Sequence, residues 1–128
     1  MLKRYDPHLH VREIVLVGVG GTGSAIARYL ARLLVHMQAL NMSVPTLTLI
    51  DPDVIEPRNI GRQQFVPAMV GMPKSQAVAL MLSSALGLPI RYITEKFNAR
   101  QHIGCSSYGV LLIDAVDNHL ARREINTL

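Results

Sequence analysis

The sequence predicts an α/β fold in which a parallel sheet carries helices on both faces, and three observations predict it. Short apolar runs of strand length alternate with segments of helical periodicity through the 128 residues. The first run passes straight into a glycine-rich turn, Gly18-Val-Gly-Gly-Thr-Gly23. Acidic residues follow the ends of two later runs, at Asp51 and Asp114. Alternation of this kind joins parallel strands by right-handed crossovers. The expected architecture is therefore Rossmann-like and three-layered, a single domain over residues 1–128.

Each element has its own justification. Ile14-Val-Leu-Val-Gly-Val is a brief apolar run ending in glycine, as a buried parallel strand should be. Thr22 to about Gln38 carries Ile26, Tyr29 and Leu30, Leu33 and Leu34, and Met37 at helical spacing, with Arg28, Arg32 and His36 on another face. Asn41 to Pro45 breaks that pattern. Thr46-Leu-Thr-Leu-Ile-Asp51 reads as the second strand, and Pro52 to Pro73 as a long irregular segment of the functional kind. Lys74 to about Leu86 reads as a second helix stopped by Gly87. Ile90 to Lys96 is expected to be a third strand, and Gly109 to Asp114 a fourth, apolar enough to be central. A final helix is expected from near Asn118.

Composition narrows the class. Nearly half the residues are apolar, which fits a folded globule. The one cysteine, Cys105, permits no intrachain disulfide and suits a reducing, cytoplasmic setting. The start, Met1-Leu-Lys-Arg-Tyr-Asp-Pro, has no apolar core of signal-peptide length, so export is not expected. No uninterrupted apolar run reaches the length of about 18 residues that a membrane helix needs. The formal charge of +4 is modest and its cations are scattered. Without a basic stripe interleaved with aromatics, nucleic acid is not an expected partner. The histidines show no convincing metal spacing and no CxxC pair exists, which speaks against zinc.

In an open parallel sheet, ligands bind beyond the carboxyl ends of the strands. Gly20, Asp51 and the Asp114 to Asp117 loop all fall there. Gly18, Gly20, Gly21 and Gly23 let the backbone approach a phosphate or nucleoside, and the following helix offers free N–H groups. Asp51 has the place of a ribose-binding carboxylate, or of a cap for its own loop. Arg62 and Lys74 can hold the oxygens of a triphosphate, where charge develops as pyrophosphate departs, or else be exposed cations. Asn59 and Gln63 can contact phosphate as neutral donors or simply hold the loop. Asp117 can ligate Mg²⁺ bridging phosphate oxygens, or cap the final helix. Together the pattern points to ATP and Mg²⁺, with the nucleotide used as a reactant.

The chain resembles the ThiF/MoeB/HesA family, whose superfamily includes the ubiquitin-activating E1 enzymes. Four blocks carry the resemblance, in order: Gly18-x-Gly-Gly-x-Gly-Ser24; Asp51-x-Asp with Asn59-x-x-Arg62-Gln63; Gly71-x-Pro-Lys74; and Asp114-x-x-Asp117-Asn118 with Arg122 and Asn126. Together they span roughly residues 12 to 126. The resemblance implies adenylation of the C-terminal carboxylate of a ubiquitin-like or sulfur-carrier protein by ATP and Mg²⁺. By position it implies that Gly21 and its neighbours line the adenosine site and that Asp51 binds ribose. Asn59, Arg62, Gln63 and Lys74 would surround the phosphates, and Asp117 would hold Mg²⁺ with Asn118 beside it. The family's domain is about twice as long, so the chain corresponds to its first, nucleotide-binding half. A homodimer, or a completing partner chain, is then expected.

Two other classes compete. A scaffold could keep the fold and bind a partner without chemistry. An NAD(P)-dependent oxidoreductase would use the same glycine loop, but its acidic residue belongs about 20 residues after the glycines. Asp51 lies farther on, and that reading leaves Arg62, Gln63, Lys74 and Asp117 without a role.

Overall fold

The computed structural model describes residues 10–61, 63–103 and 108–116. Four parallel strands form one sheet: β1 (Glu13–Val17), β2 (Thr46–Ile50), β3 (Ile90–Ile93) and β4 (Val110–Asp114), in the order β3-β2-β1-β4. Register is continuous across the centre, with Val17 opposite both Ile50 and Asp114. All four carboxyl ends therefore share one rim. The chain leaves β1 toward β2 on one side and returns from β3 to β4 on the other, which makes β1 and β4 the place where a crevice opens.

Strand alternation divides the core in two. Ile14, Leu16, Leu47 and Leu49 face helices α1 (Gly21–Ala39) and α2 (Lys74–Leu86), which bury Ala27, Ala31, Leu34, Ala77 and Val78 against them. Small residues at 27, 31 and 77 let the helices lie close to the sheet. Val15, Val17 and Ile50 face the other way, toward Phe97 and Ala99 at the start of the short helix α3 (Ala99–His102). Helices thus cover both faces, as expected from the sequence. Among the described residues no helix is long and apolar enough to cross a membrane.

Three details differ from expectation. β3 stops at Ile93, because its partner β2 ends at Ile50, and the chain then bends rather than extending to Lys96. α3 was not anticipated; Asn98 starts it, its Oδ1 accepting from the Gln101 N–H at 3.0 Å. β4, apolar enough to be expected at the centre, lies at an end of the sheet among the described residues, with Leu111 45% exposed. The helix expected from Asn118 lies outside the described residues.

The segment from Pro52 to Pro73 is irregular but firmly anchored. Ile55 and Phe65 are buried in the α1/α2 side of the core. Its two ends are stitched together by hydrogen bonds from Ile55 N–H to the Met72 carbonyl, from Gly71 N–H to that of Ile55, and from Lys74 N–H to that of Asp53. This stitching carries the first residue of α2 to the carboxyl end of β2.

Candidate nucleotide site

A crevice of about 420 Å³ opens along that rim. The β1–α1 turn contributes Gly18, Gly20, Gly21 and Thr22, and the end of β2 contributes Asp51, Pro52 and Asp53. Gln63 and Lys74 come from the long segment and the start of α2. Lys96 and Phe97 follow β3, and Ala115 and Val116 follow β4.

The glycines divide into two kinds. A Cβ on Gly23 would stand 1.8 Å from the Gly18 carbonyl oxygen, so Gly23 lets α1 abut the end of β1. Gly18 has φ +93° and backs onto Ala115 and Val116, where a side chain has no room. Gly20 and Gly21 are different: a Cβ on Gly21 meets nothing within 4 Å, and one on Gly20 meets only Gln63 Nε2 at 3.6 Å. The first pair closes the backbone and the second leaves open space. Gly20 is also the N-cap of α1, with no side chain to satisfy the first-turn N–H groups. That terminus therefore offers donors and a positive dipole end to an anion.

Asp51 is 5% exposed and holds the turn in place. Its Oδ2 accepts from Val19 N–H and its Oδ1 from Asp53 N–H, each at 2.8 Å. Burial raises its pKa above the usual 3.8; the two backbone N–H groups oppose the rise, Asp53 adds to it, and Lys74 opposes it. Both oxygens keep lone pairs for ribose hydroxyls. The carboxylate is thus a strut of the loop as well as a candidate ligand group.

Lys74 is 9% exposed and, among the described residues, forms no ion pair. Its charge acts on the nearby Asp51 carboxylate without a direct ion pair, and an anion entering the crevice would add to the stabilisation of so buried an ammonium. Gln63 lies across from Gly20, and its buried Oε1 has no hydrogen-bond partner among the described residues. Both groups are set for a polar guest.

Asn59 takes no part in the crevice lining. It is buried, its Oδ1 accepts from Glu56 N–H at 2.8 Å, and it completes a reciprocal cap of the 3₁₀ turn Pro57–Asn59. Its carbonyl accepts from Gln63 N–H at 3.0 Å, so it steadies Gln63 through the backbone. Arg62, Asp117, Asn118 and Cys105 lie outside the described residues. Among the described residues no group of three or more His, Cys, Asp or Glu side chains could hold a metal ion.

Lys96 and Phe97 went unrecognised in the sequence, because a strand drawn through Lys96 hides the loop where β3 meets the rim. The rule that brought Asp51 and the loop after Asp114 to the crevice applies equally to the end of β3, once that end is placed at Ile93. Phe97, with Val17, Ala115 and Val116, makes an apolar part of the crevice suited to the face of a base, and Lys96 adds a second cation.

The chain is similar to known proteins in sequence and fold. The chain is 31% identical over 140 residues to ubiquitin-like modifier-activating enzyme 5 of Culex quinquefasciatus, an alignment covering 98% of this chain and 32% of that protein. The enzyme of the same name from Oryza sativa subsp. japonica is 32% identical over 137 residues, covering 94% and 30%. The chain thus spans about a third of these relatives' length. Among solved structures, E. coli tRNA N6-threonylcarbamoyladenosine dehydratase in complex with ATP superposes with a TM-score of 0.65 at 26% identity, over 84% of this chain and 42% of that one. The sequence profile of the ThiF family matches residues 7–128, so a crevice floored by Gly18 to Gly23 and flanked by Asp51 and Lys74 belongs here to a member of the ThiF family.

Proposed function

We propose that this chain is the ATP-binding part of an E1-like adenylyltransferase, acting in the cytoplasm on the C-terminal carboxylate of a ubiquitin-like or sulfur-carrier protein. The observation that carries the proposal is the pairing of an open glycine wall, at Gly20 and Gly21, with the buried Lys74, which makes no direct ion pair among the described residues. A polyphosphate gains more from that cation than a neutral ligand does. The relatives named as ubiquitin-like modifier-activating enzymes, and the related structure that holds ATP, support the same reading.

The chemistry assigns each group a task. The triphosphate lies along the α1 N-terminus, with Lys74 and Arg62 on its outer oxygens and Gln63 donating from the side. Asp51 takes the ribose, and Phe97 and Val116 flank the base. A carboxylate oxygen of the acceptor attacks the α-phosphorus, the bond to the bridging oxygen breaks, and pyrophosphate leaves with that electron pair. Asp117, with Asn118 beside it, would hold Mg²⁺, which would supply charge neutralisation to the triphosphate when bound. This step needs no protein nucleophile. The domain is read as the first half of a longer adenylation unit, completed by further chain or by a second copy.

Calorimetric titration of the chain with ATP, with and without Mg²⁺, tests the reading, with NAD⁺ as control. Mg²⁺-strengthened ATP binding without NAD⁺ binding supports it. NAD⁺ binding in preference to ATP would indicate an oxidoreductase-type site, and binding of neither would leave a scaffold. Lys74→Ala should weaken ATP by about tenfold or more while changing AMP much less, since its contacts are placed beyond the α-phosphate. The relatives differ in the substrates their names record, so the acceptor is tested apart, by following ATP–pyrophosphate exchange with a sulfur-carrier protein ending in Gly-Gly and with one whose terminus is amidated.

A further inference from the structure

Helix α1 has a second organised face, directed away from the sheet. Ala27, Ala31 and Leu34 point into the core. On the opposite side Tyr29, Leu33 and Leu40 are 66%, 51% and 57% exposed, and His36 is exposed in line with them. The steps from 29 to 33 to 36 to 40 are four, three and four residues, the a/d spacing by which one helix receives another. Singly exposed apolar residues need no explanation; a row of them in register along about 16 Å of helix does.

The charges say what kind of helix fits. Arg32 borders the row beside Leu33, and the Arg28 guanidinium carbon stands 5.9 Å from the Tyr29 ring centroid. Gly21–Ala39 contains no Asp or Glu at all. A second copy packed on this row would set Arg32 and His36 against their own counterparts, with no acid on either helix to compensate. An acidic partner instead meets the two arginines, Arg28 and Arg32.

We propose that the outer face of α1 is a docking surface for an acidic amphipathic helix of a partner protein, with Tyr29, Leu33, His36 and Leu40 as the seam and Arg28 and Arg32 as its charged border. Tyr29 lies about 12 Å along the helix from Gly21 and the seam runs away from the crevice. The surface therefore operates alongside nucleotide binding and does not rest on the nucleotide reading.

The test is fluorescence anisotropy with a labelled peptide of about three heptads, leucine at a and d and glutamate at e and g, against a twin with lysine for every glutamate. The glutamate peptide should bind the intact chain, more weakly as salt rises, and the lysine twin should not. Arg32→Glu should weaken binding about tenfold, and Leu33→Ser likewise. Both positions are exposed, and unchanged thermal unfolding of each variant shows that the fold is kept. Equal binding of the two peptides, or binding of neither, overturns the proposal. So does sedimentation of the chain as a dimer that Leu33→Ser converts to monomer, which would make a second copy the occupant. Binding to vesicles of about one-third phosphatidylserine that Arg32→Glu abolishes, with no peptide binding, would assign the face to a membrane and overturn it as well.

Discussion

At the scale of single residues, the glycines and Asp51 separate architecture from binding. Gly23→Ala drives a Cβ into the Gly18 carbonyl, a contact only backbone movement relieves. It should cost about 1–3 kcal/mol or more of stability in urea unfolding. Gly21→Ala meets open space, so unfolding should be unchanged or slightly delayed while ATP affinity falls, because the new methyl occupies room meant for ligand. Asp51 supplies a test in pH. Its pKa is raised by burial, so the folded state holds the proton more tightly than the unfolded chain. Its contribution to stability is fully present below the ordinary value of 3.8 and is lost as pH rises through the raised folded value. Asp51→Asn removes that dependence. Between pH 3.8 and neutrality the variant should therefore gain on the wild type, even though its amide offers one acceptor oxygen to two backbone donors. Urea midpoints of both proteins across that window check it; parallel curves would mean that Asp51 titrates alike folded and unfolded.

At the scale of elements, what could be read in the sequence follows from where local rules suffice. α2 was legible at both ends, since Pro73 precedes it and Gly87 closes it at φ 67°, a backbone angle that disfavours other residues. Gly87→Ala should lower stability by about 1 kcal/mol with nucleotide affinity unchanged. β1, β2 and α1 were legible from periodicity, and the convergence of Gly20, Asp51 and the loop after β4 from their places after strand ends. The end of β3 was not, because Thr94-Glu95-Lys96 has nothing in it that forbids a strand; the length of β2 decides it. Nor was the division of labour between Asn59 and Gln63, since both are amides in one motif and only the fold shows which one turns inward to cap Glu56. Asn59→Ala should consequently cost about 0.5–2 kcal/mol through the lost cap. Any loss of ATP affinity should be smaller than that of Gln63→Ala, as calorimetry of both variants would show.

At the scale of the whole molecule, the four-stranded parallel sheet is covered by α1 and α2 on one face and by the short α3 and its neighbours on the other. The α1/α2 face is continuous, whereas the other is covered among the described residues by Phe97, the short α3 and their neighbours. Among the described residues the sheet ends, beyond β1, at the half-exposed β4, where Leu111 is open to solvent. Self-association of the proposed half-domain would use that edge, so Leu111→Lys should convert a sedimenting dimer to monomer; a wild-type chain already monomeric at high concentration would remove the dimer from the reading.

The lock between Gly23 and Gly18, and the Asp51 strut on Val19, fix the mouth of the crevice before any guest arrives. Their consequence lies in time. A turn that has nowhere else to go does not wait to rearrange, so nucleotide capture on this side of the crevice should follow one exponential phase whose rate rises linearly with nucleotide concentration. The Gly18 and Val19 amide hydrogens, bonded to the Ile50 carbonyl and to Asp51, should be slow to exchange already in the empty protein.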